Sequence, residues 1–207
     1  MLKQIFNVVG VVAVAVSLFV GCDGDNGANV DPDKPGTKET FIDSRDGRSY
    51  TKVTINTQVW MAENLNYDVP NTTTDVCYDN SAENCVKYGR LYDWETALTA
   101  CPAGWHLSTG AEWTMLTDFI GDKAGTKLKS TSGWKEGNGT DNYGFAALPA
   151  GYGTGDGQFG FAGNNSRLWS ATSDGRTQYR YITSSDNVQI VNSVAKILQL
   201  SVRCVED

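Results

Sequence analysis

The chain has 207 residues, with 24 acidic side chains against 17 basic ones, a net charge of -7 and a sequence pI near 4.7. That balance excludes nucleic acid as a partner, because a dense polyanion needs a basic footprint. Charged residues make up only 20% of the chain while 22 glycines, 6 tryptophans and 9 tyrosines stand out, which points to a loop-rich domain with a core of large aromatics.

The N-terminus carries Lys3 and then a nearly unbroken apolar run from Ile5 to Val20, interrupted by Asn7, Gly10 and Ser17. At roughly 16 residues the run is short of the ~20 that a membrane-spanning helix needs. No A-x-A-like cleavage site of an ordinary secretory signal lies near its end. Instead Leu18-Phe19-Val20-Gly21-Cys22 resembles the lipobox of bacterial lipoproteins, with Phe19 where leucine is usual. The resemblance implies a signal peptide over residues 1–21, lipid on Cys22, and a mature chain anchored to a membrane on its extracytoplasmic side. Acyl chains hold at about 0.8 kcal/mol per buried methylene. Residues 22–40 are rich in Gly, Asp, Asn, Pro and Lys without apolar periodicity, and are expected to be a lipidated flexible linker. Residues 41–207 then suffice for one domain with a proper core.

That domain is expected to begin at Phe41-Ile42-Asp43, followed by a turn at Asp46-Gly47. Alternation predicts a strand over Tyr50–Ile55 and a second over Gln58–Met61. Asn66 to Tyr88 is a polar excursion. A helix is expected over Tyr92–Ala100, with Trp94, Ala97 and Leu98 on one face and Cys101-Pro102 ending it. Thr109 and Glu112 have the spacing of a capping box for a second helix, whose buried face is Trp113, Leu116, Phe119 and Ile120 and whose stop is Gly121. From Gly133 onward glycine, asparagine and aspartate alternate with aromatics, predicting turns and short strands. The strands expected there are Leu168–Thr172, Tyr179–Thr183, Val188–Ile190 and Leu200–Cys204. Terminal strands, central helices and a long glycine-rich region describe an α+β domain.

Five cysteines is an odd number, and lipid on Cys22 leaves Cys77, Cys85, Cys101 and Cys204, for which three pairings exist. Cys77 and Cys85 flank a short polar segment and can close a local loop. That leaves Cys101 and Cys204 to fasten the end of the chain onto its middle. With no C-x-x-C pair and His106 as the single histidine, no metal site is expected from the cysteines.

A series of motifs carries a family likeness. They are Gln58-Val59-Trp60-Met61-Ala62-Glu63-Asn64-Leu65, Tyr88-Gly89-Arg90-Leu91-Tyr92-Asp93-Trp94 and Cys101-Pro102-Ala103-Gly104-Trp105-His106-Leu107. Gly144-Phe145-Ala146-Ala147-Leu148-Pro149, Leu168-Trp169-Ser170-Ala171-Thr172 and Ser201-Val202-Arg203-Cys204-Val205 follow in order. The series resembles the Fibrobacter succinogenes major paralogous domain of bacterial lipoproteins. That family is similar in turn to C-type-lectin-like folds, including formylglycine-generating enzymes. The resemblance implies two helices packed on short twisted antiparallel strands, long glycine-rich loops and termini brought together, which agrees with a Cys101–Cys204 bridge. Ser108 stands where proline usually precedes the helix cap, and Asn56 replaces a turn glycine.

Formylglycine-generating enzymes are oxidases that bind copper through paired thiols. Here lipid and disulfides account for the cysteines, G-x-S-x-G is absent, and His106 between Trp105 and Leu107 reads as a packed, hydrogen-bonded side chain. No catalytic residue and no cofactor are expected. Glu-Pro-Asn, Gln-Pro-Asp and Trp-Asn-Asp motifs, which sugar-binding C-type lectins share, are also absent. Asp141, Asn142 and Asp156 offer oxygen ligands for calcium, although such residues in glycine-rich loops mostly form turns.

Aromatics are the stronger binding signal. Tyr152, Phe159, Phe161, Tyr179 and Tyr181 alternate with glycine, asparagine and arginine, and Arg167, Arg176 and Arg180 offer planar hydrogen bonds. The ligand-binding set expected from this pattern is Tyr152, Phe159, Arg167, Arg176 and Tyr179. Trp60, Trp94, Trp105, Trp113 and Trp169 are assigned to the core. The function expected is a cell-envelope lipoprotein whose domain binds polysaccharide, fibre or an envelope protein without converting it. The alternatives are an oxidase and a purely structural envelope protein.

Overall fold

Residues 49–55 alternate as expected: Val53 and Ile55 are buried on one face of the strand and Tyr50 on the other. The computed structural model describes residues 36–171 and 177–207, so the expected signal peptide, Cys22 and Arg176 lie outside the described residues. The first strand, β1 (Thr37–Ile42), pairs antiparallel with β2 (Ser49–Ile55). Folded chain therefore begins at least four residues earlier than the 22–40 linker boundary allows. The turn after β2 is closed by Asn56 at φ 55, a left-handed position that asparagine tolerates in place of glycine.

β3 (Gln58–Met61) follows, then β4 (Asp75–Val76), α1 (Ala82–Tyr88), β5 (Leu91–Tyr92), α2 (Trp94–Ala97), β6 (Trp105–Leu107), α3 (Gly110–Ile120) and α4 (Ala124–Leu128). The late chain forms β7 (Tyr152–Gly153), β8 (Phe159–Gly160), β9 (Ser166–Ser170), β10 (Gln178–Ile182), β11 (Gln189–Asn192) and β12 (Cys204–Glu206). A five-stranded antiparallel sheet in the order β1-β2-β3-β12-β6 is accompanied by a three-stranded sheet β11-β10-β9 and two short ribbons, an α+β architecture. The large sheet separates two cores. Trp113, Leu116 and Ile120 of α3 pack with Val53, Ile55 and Trp60 on one side. Met61, Tyr92, Trp94, Leu107, Trp169 and Val202 fill the other. Among the described residues no helix is long and apolar enough to cross a membrane.

Helix α3 has the expected capping box: the Glu112 amide donates to Thr109 Oγ1 at 3.2 Å and the Thr109 amide to Glu112 Oε2 at 2.7 Å. Ser108, fully buried, accepts from the Trp113 indole at 2.9 Å, a bond that proline at this position could not offer. Helix α2 is shorter than the expected Tyr92–Ala100. Asp93 caps its start, but the Ala100 and Cys101 carbonyls accept from Arg45 rather than from a helical turn, and Leu98 is exposed. Helix α1 lies inside the expected polar excursion. Only Cys85 and Tyr88 on it are buried, too few to show as a period, and its end needs Gly89, where a Cβ would meet Leu65 O at 2.8 Å. Trp60, Trp94, Trp113 and Trp169 are buried, whereas Trp105 is half-buried and stacks on Phe41 at 4.4 Å.

The expected strand over Leu200–Cys204 is displaced to Cys204–Glu206. Leu200 and Ser201 make single bridges to Tyr92 and Leu168 instead, because the chain here crosses from the small sheet to the large one. Arg203 anchors the crossing. Its fully buried guanidinium donates to Asn64 Oδ1 at 2.9 Å, Met61 O at 3.1 Å, Ala146 O at 2.9 Å and the Phe145 carbonyl. The Phe145 ring lies 4.4 Å from its centre. Burial pulls the Arg203 pKa down to about 9, against smaller opposing pulls from Glu63 and Asp141.

Cys77 is bonded to Cys85 and Cys101 to Cys204. Chain-entropy arguments give the long bridge about 4–5 kcal/mol and the short one about 2.5 kcal/mol. Denaturant titrations of Cys101→Ala/Cys204→Ala and Cys77→Ala/Cys85→Ala should show that order, and the reverse order would contradict it. Arg203→Met orphans buried carbonyls and should cost about 3 kcal/mol in the same measurement.

Candidate functional site

Strand alternation decides which aromatics meet. The pairs Tyr179↔Trp169 and Tyr181↔Arg167 put these four side chains on one face of the small sheet, and Leu168, Arg180 and Ile182 on the other. The inner end of that face is fixed by Trp169, whose indole donates to Tyr92 O at 2.7 Å and meets Trp94 edge-on at 5.2 Å. Tyr179 packs edge-on against Trp169 at 6.3 Å and is itself buried. Burial raises the Tyr179 pKa; nearby Arg167 opposes the shift, and Tyr181 and Tyr152 add to it.

At the outer end Arg167 is enclosed by rings. Its guanidinium carbon lies 3.9 Å from the Tyr152 ring centre, 5.4 Å from Tyr181, 5.6 Å from Tyr179 and 5.9 Å from Phe161. All four are within cation–π range. The β7–β8 hairpin supplies Tyr152, which stacks on Phe161 at 6.0 Å. The hairpin sits close enough that a Cβ on Gly151, at φ 68, would fall 2.3 Å from Gly160 O. Phe161 is 57% exposed and adopts φ 65, a left-handed conformation costly for a bulky side chain. The Asn164 and Asn165 amides hold it there by donating to its carbonyl.

Ring contacts of this kind do not saturate the N–H groups of a guanidinium, which still have hydrogen bonds to give. Among the described residues no hydrogen bond or ion pair takes them up, and Arg167 Nε is both buried and unpaired.

Of the expected ligand-binding set, the structure brings Tyr152, Arg167 and Tyr179 together. Phe159 is excluded: it pairs with Gly153, so it points to the opposite side of the hairpin from Tyr152 and packs on Tyr78 at 5.3 Å. Phe161 and Tyr181 belong to the site although they are not in that set. For Tyr181 the signal is its two-residue spacing from Tyr179 on one strand; for Phe161 the left-handed turn hides it. Arg180 is structural. It is buried on the other face, donates to Gly110 O at 3.0 Å, and burial lowers its pKa to about 10. Asp141 and Asp156 stand in separate loops, where Asp141 accepts from the Ala146 amide and Asp156 from Thr154. Among the described residues no cluster of three or more His, Cys, Asp or Glu could hold a metal.

A second polar cluster lies across the large sheet. His106 Nδ1 and Nε2 are each 2.7 Å from a carboxylate, of Asp207 and of Glu112, beside an open cleft of about 350 Å³ lined by Gln58, Met115 and Val205 among others. Burial opposes the charged imidazole, but the hydrogen bonds to Asp207 and Glu112 outweigh it and raise the His106 pKa.

The family model of the Fibrobacter succinogenes major domain matches residues 53–206, a span that holds both disulfides, Arg203 and every ring around Arg167. No curated protein and no solved structure matches the chain.

His106 ties β6 to α3, and its raised pKa sets a pH dependence. The contribution is complete below the unfolded value near 6.5 and is lost as pH rises through the higher folded value. Unfolding midpoints should fall over that alkaline-going window in the unaltered chain and flatten in His106→Gln. A His106→Gln profile parallel to the parent's would contradict the assignment.

Proposed function

The chain belongs to the Fibrobacter succinogenes major domain family, and from that premise we propose that it is a cell-envelope lipoprotein whose domain binds a ligand without converting it. The domain is C-type-lectin-like, the membrane attachment is lipid on Cys22, and the domain is held outside the cytoplasm. The observation that carries the binding reading is the ring-enclosed guanidinium of Arg167 beside the exposed Phe161. Aromatic faces stack on sugar rings, while an arginine edge supplies directional donors. A strained, exposed aromatic is costly to maintain for packing alone.

Placement of β12 between β3 and β6 supports the C-type-lectin-like assignment, since it draws late chain against early chain and leaves the glycine-rich stretch to one side. The four described cysteines are paired with each other, which leaves no thiol pair among them for copper and counts against an oxidase. Polysaccharide or fibre is the ligand class favoured over an envelope protein, because stacking rings dominate the site.

Pull-down of the full chain on insoluble glycans and on envelope-protein panels tests the reading. Enrichment on a glycan is expected, with Tyr152→Ala and Phe161→Ala each weakening it about tenfold, in line with the loss of one stacking contact. No enrichment on either panel would sink it.

A further inference from the structure

Arg167 presents an unusual combination. Its cation lies among four aromatic rings, yet among the described residues no hydrogen bond or ion pair answers its donors. Buried polar groups are almost always paired, so the unpaired Nε of the half-buried Arg167 marks a guanidinium whose donors the described residues leave unanswered. Resting on the binding reading above, we propose that this site recognises the carboxylate of an acidic sugar residue, with Arg167 taking the carboxylate and Tyr152 and Phe161 taking the sugar ring.

The chemistry follows from the shapes involved. A carboxylate is planar and matches two parallel guanidinium N–H donors. The Tyr152 ring centre, 3.9 Å from the guanidinium carbon, confines the group beside that ring. Phe161, stacked on Tyr152 and 57% exposed, extends the apolar surface outward, where the C–H face of a pyranose fits. Tyr181, half-buried beside Arg167, closes the site on the β10 side.

The charge of the whole chain narrows the class further. At -7 the chain repels a dense polyanion, whereas one carboxylate against one local cation acts within a Debye length of about 8 Å. The fit is therefore a glycan with sparse uronic-acid residues, not one acidic at every sugar. An acidic peptide offers the same carboxylate without the ring, which makes it the competing outcome.

The test compares matched ligands on the full chain by calorimetry. One pair is a glucuronic-acid-substituted xylo-oligosaccharide and the same molecule with its carboxyl reduced to the alcohol. The other is a neutral oligosaccharide bearing a single terminal galacturonate and its methyl ester. The acid form of at least one pair should bind about ten to a hundred times more tightly than its neutral partner, as expected for hydrogen bonds to a charged group. That preference should shrink with added salt and vanish in Arg167→Gln, with Arg167→Lys retaining only part of it. Should Arg167→Gln fail to fold, the Arg167 Nε–H resonance in the unaltered chain decides: it should move with the acid form and not with the neutral one. Equal binding of acid and neutral forms overturns the proposal while leaving an aromatic glycan site standing. Binding of a short acidic peptide but of no uronate overturns it in favour of a protein partner. Absence of binding to these sugars and to every insoluble glycan removes the proposal and the function it rests on together.

Discussion

Arg203 is buried whole, with no carboxylate against it, and its charge is spread over Asn64 Oδ1, three backbone carbonyls and the face of Phe145. A buried guanidinium without an acid is stable only where its donors are all answered. Its acceptors come from two separated stretches of chain, the exit of β3 and the loop at 145–146, and Arg203 brings the segment before β12 to both. The requirement that they converge fixes how those stretches meet. Ala146 is held for this purpose at φ 50, with its amide taken by Asp141.

The rest of the molecule is arranged from that convergence. Next to Arg203, Cys204 enters β12 and bonds Cys101, which brings β6 alongside. On its other side Ser201 accepts from the Trp169 amide, and Leu200 exchanges backbone hydrogen bonds with Tyr92. Trp169 is the inner wall of the aromatic site, so the segment locked by Arg203 also sets where β9 lies and where Arg167 presents its edge. One arginine is satisfied by the fold and holds it together. The other, Arg167, is half-buried among rings with its Nε unpaired.

Much of this was legible in residues whose neighbours act locally. The β2 alternation, the Thr109–Glu112 box and the stop at Gly121 depend on contacts within a turn or a strand, and the structure has each of them. Elements decided by distant partners were not legible. Helix α2 stops early where the Thr99 amide turns to Thr96 O, and the chain beyond it is held by Arg45, 55 residues away in sequence, through Ala100 O. Helix α1 has too little apolar face to register. In the site, composition pointed to the right region, but the arginine that stands between tyrosines in sequence is Arg180, which faces the other way, while Arg167 meets its tyrosines only in the fold. Whether Tyr152 and Phe159 face the same way depends on the hairpin register, which no single-residue pattern reveals: they face apart. Phe161 was hidden for a different reason, since a phenylalanine in a left-handed turn violates the preference by which turns are recognised.

The position of β12 has a kinetic consequence. It is the last strand in sequence and an interior strand of the five-stranded sheet, pairing Val205 with Trp60 and with His106. Such distant pairing makes for slow folding, because a large loop must close before any contact rewards it. A chain that emerges N-terminus first, from a ribosome or across a membrane, cannot complete its sheet until Val205 is available. Until then β3 and β6 are open edges. Insertion of β12 covers both edges and brings Cys204 to Cys101 and Arg203 to its acceptors.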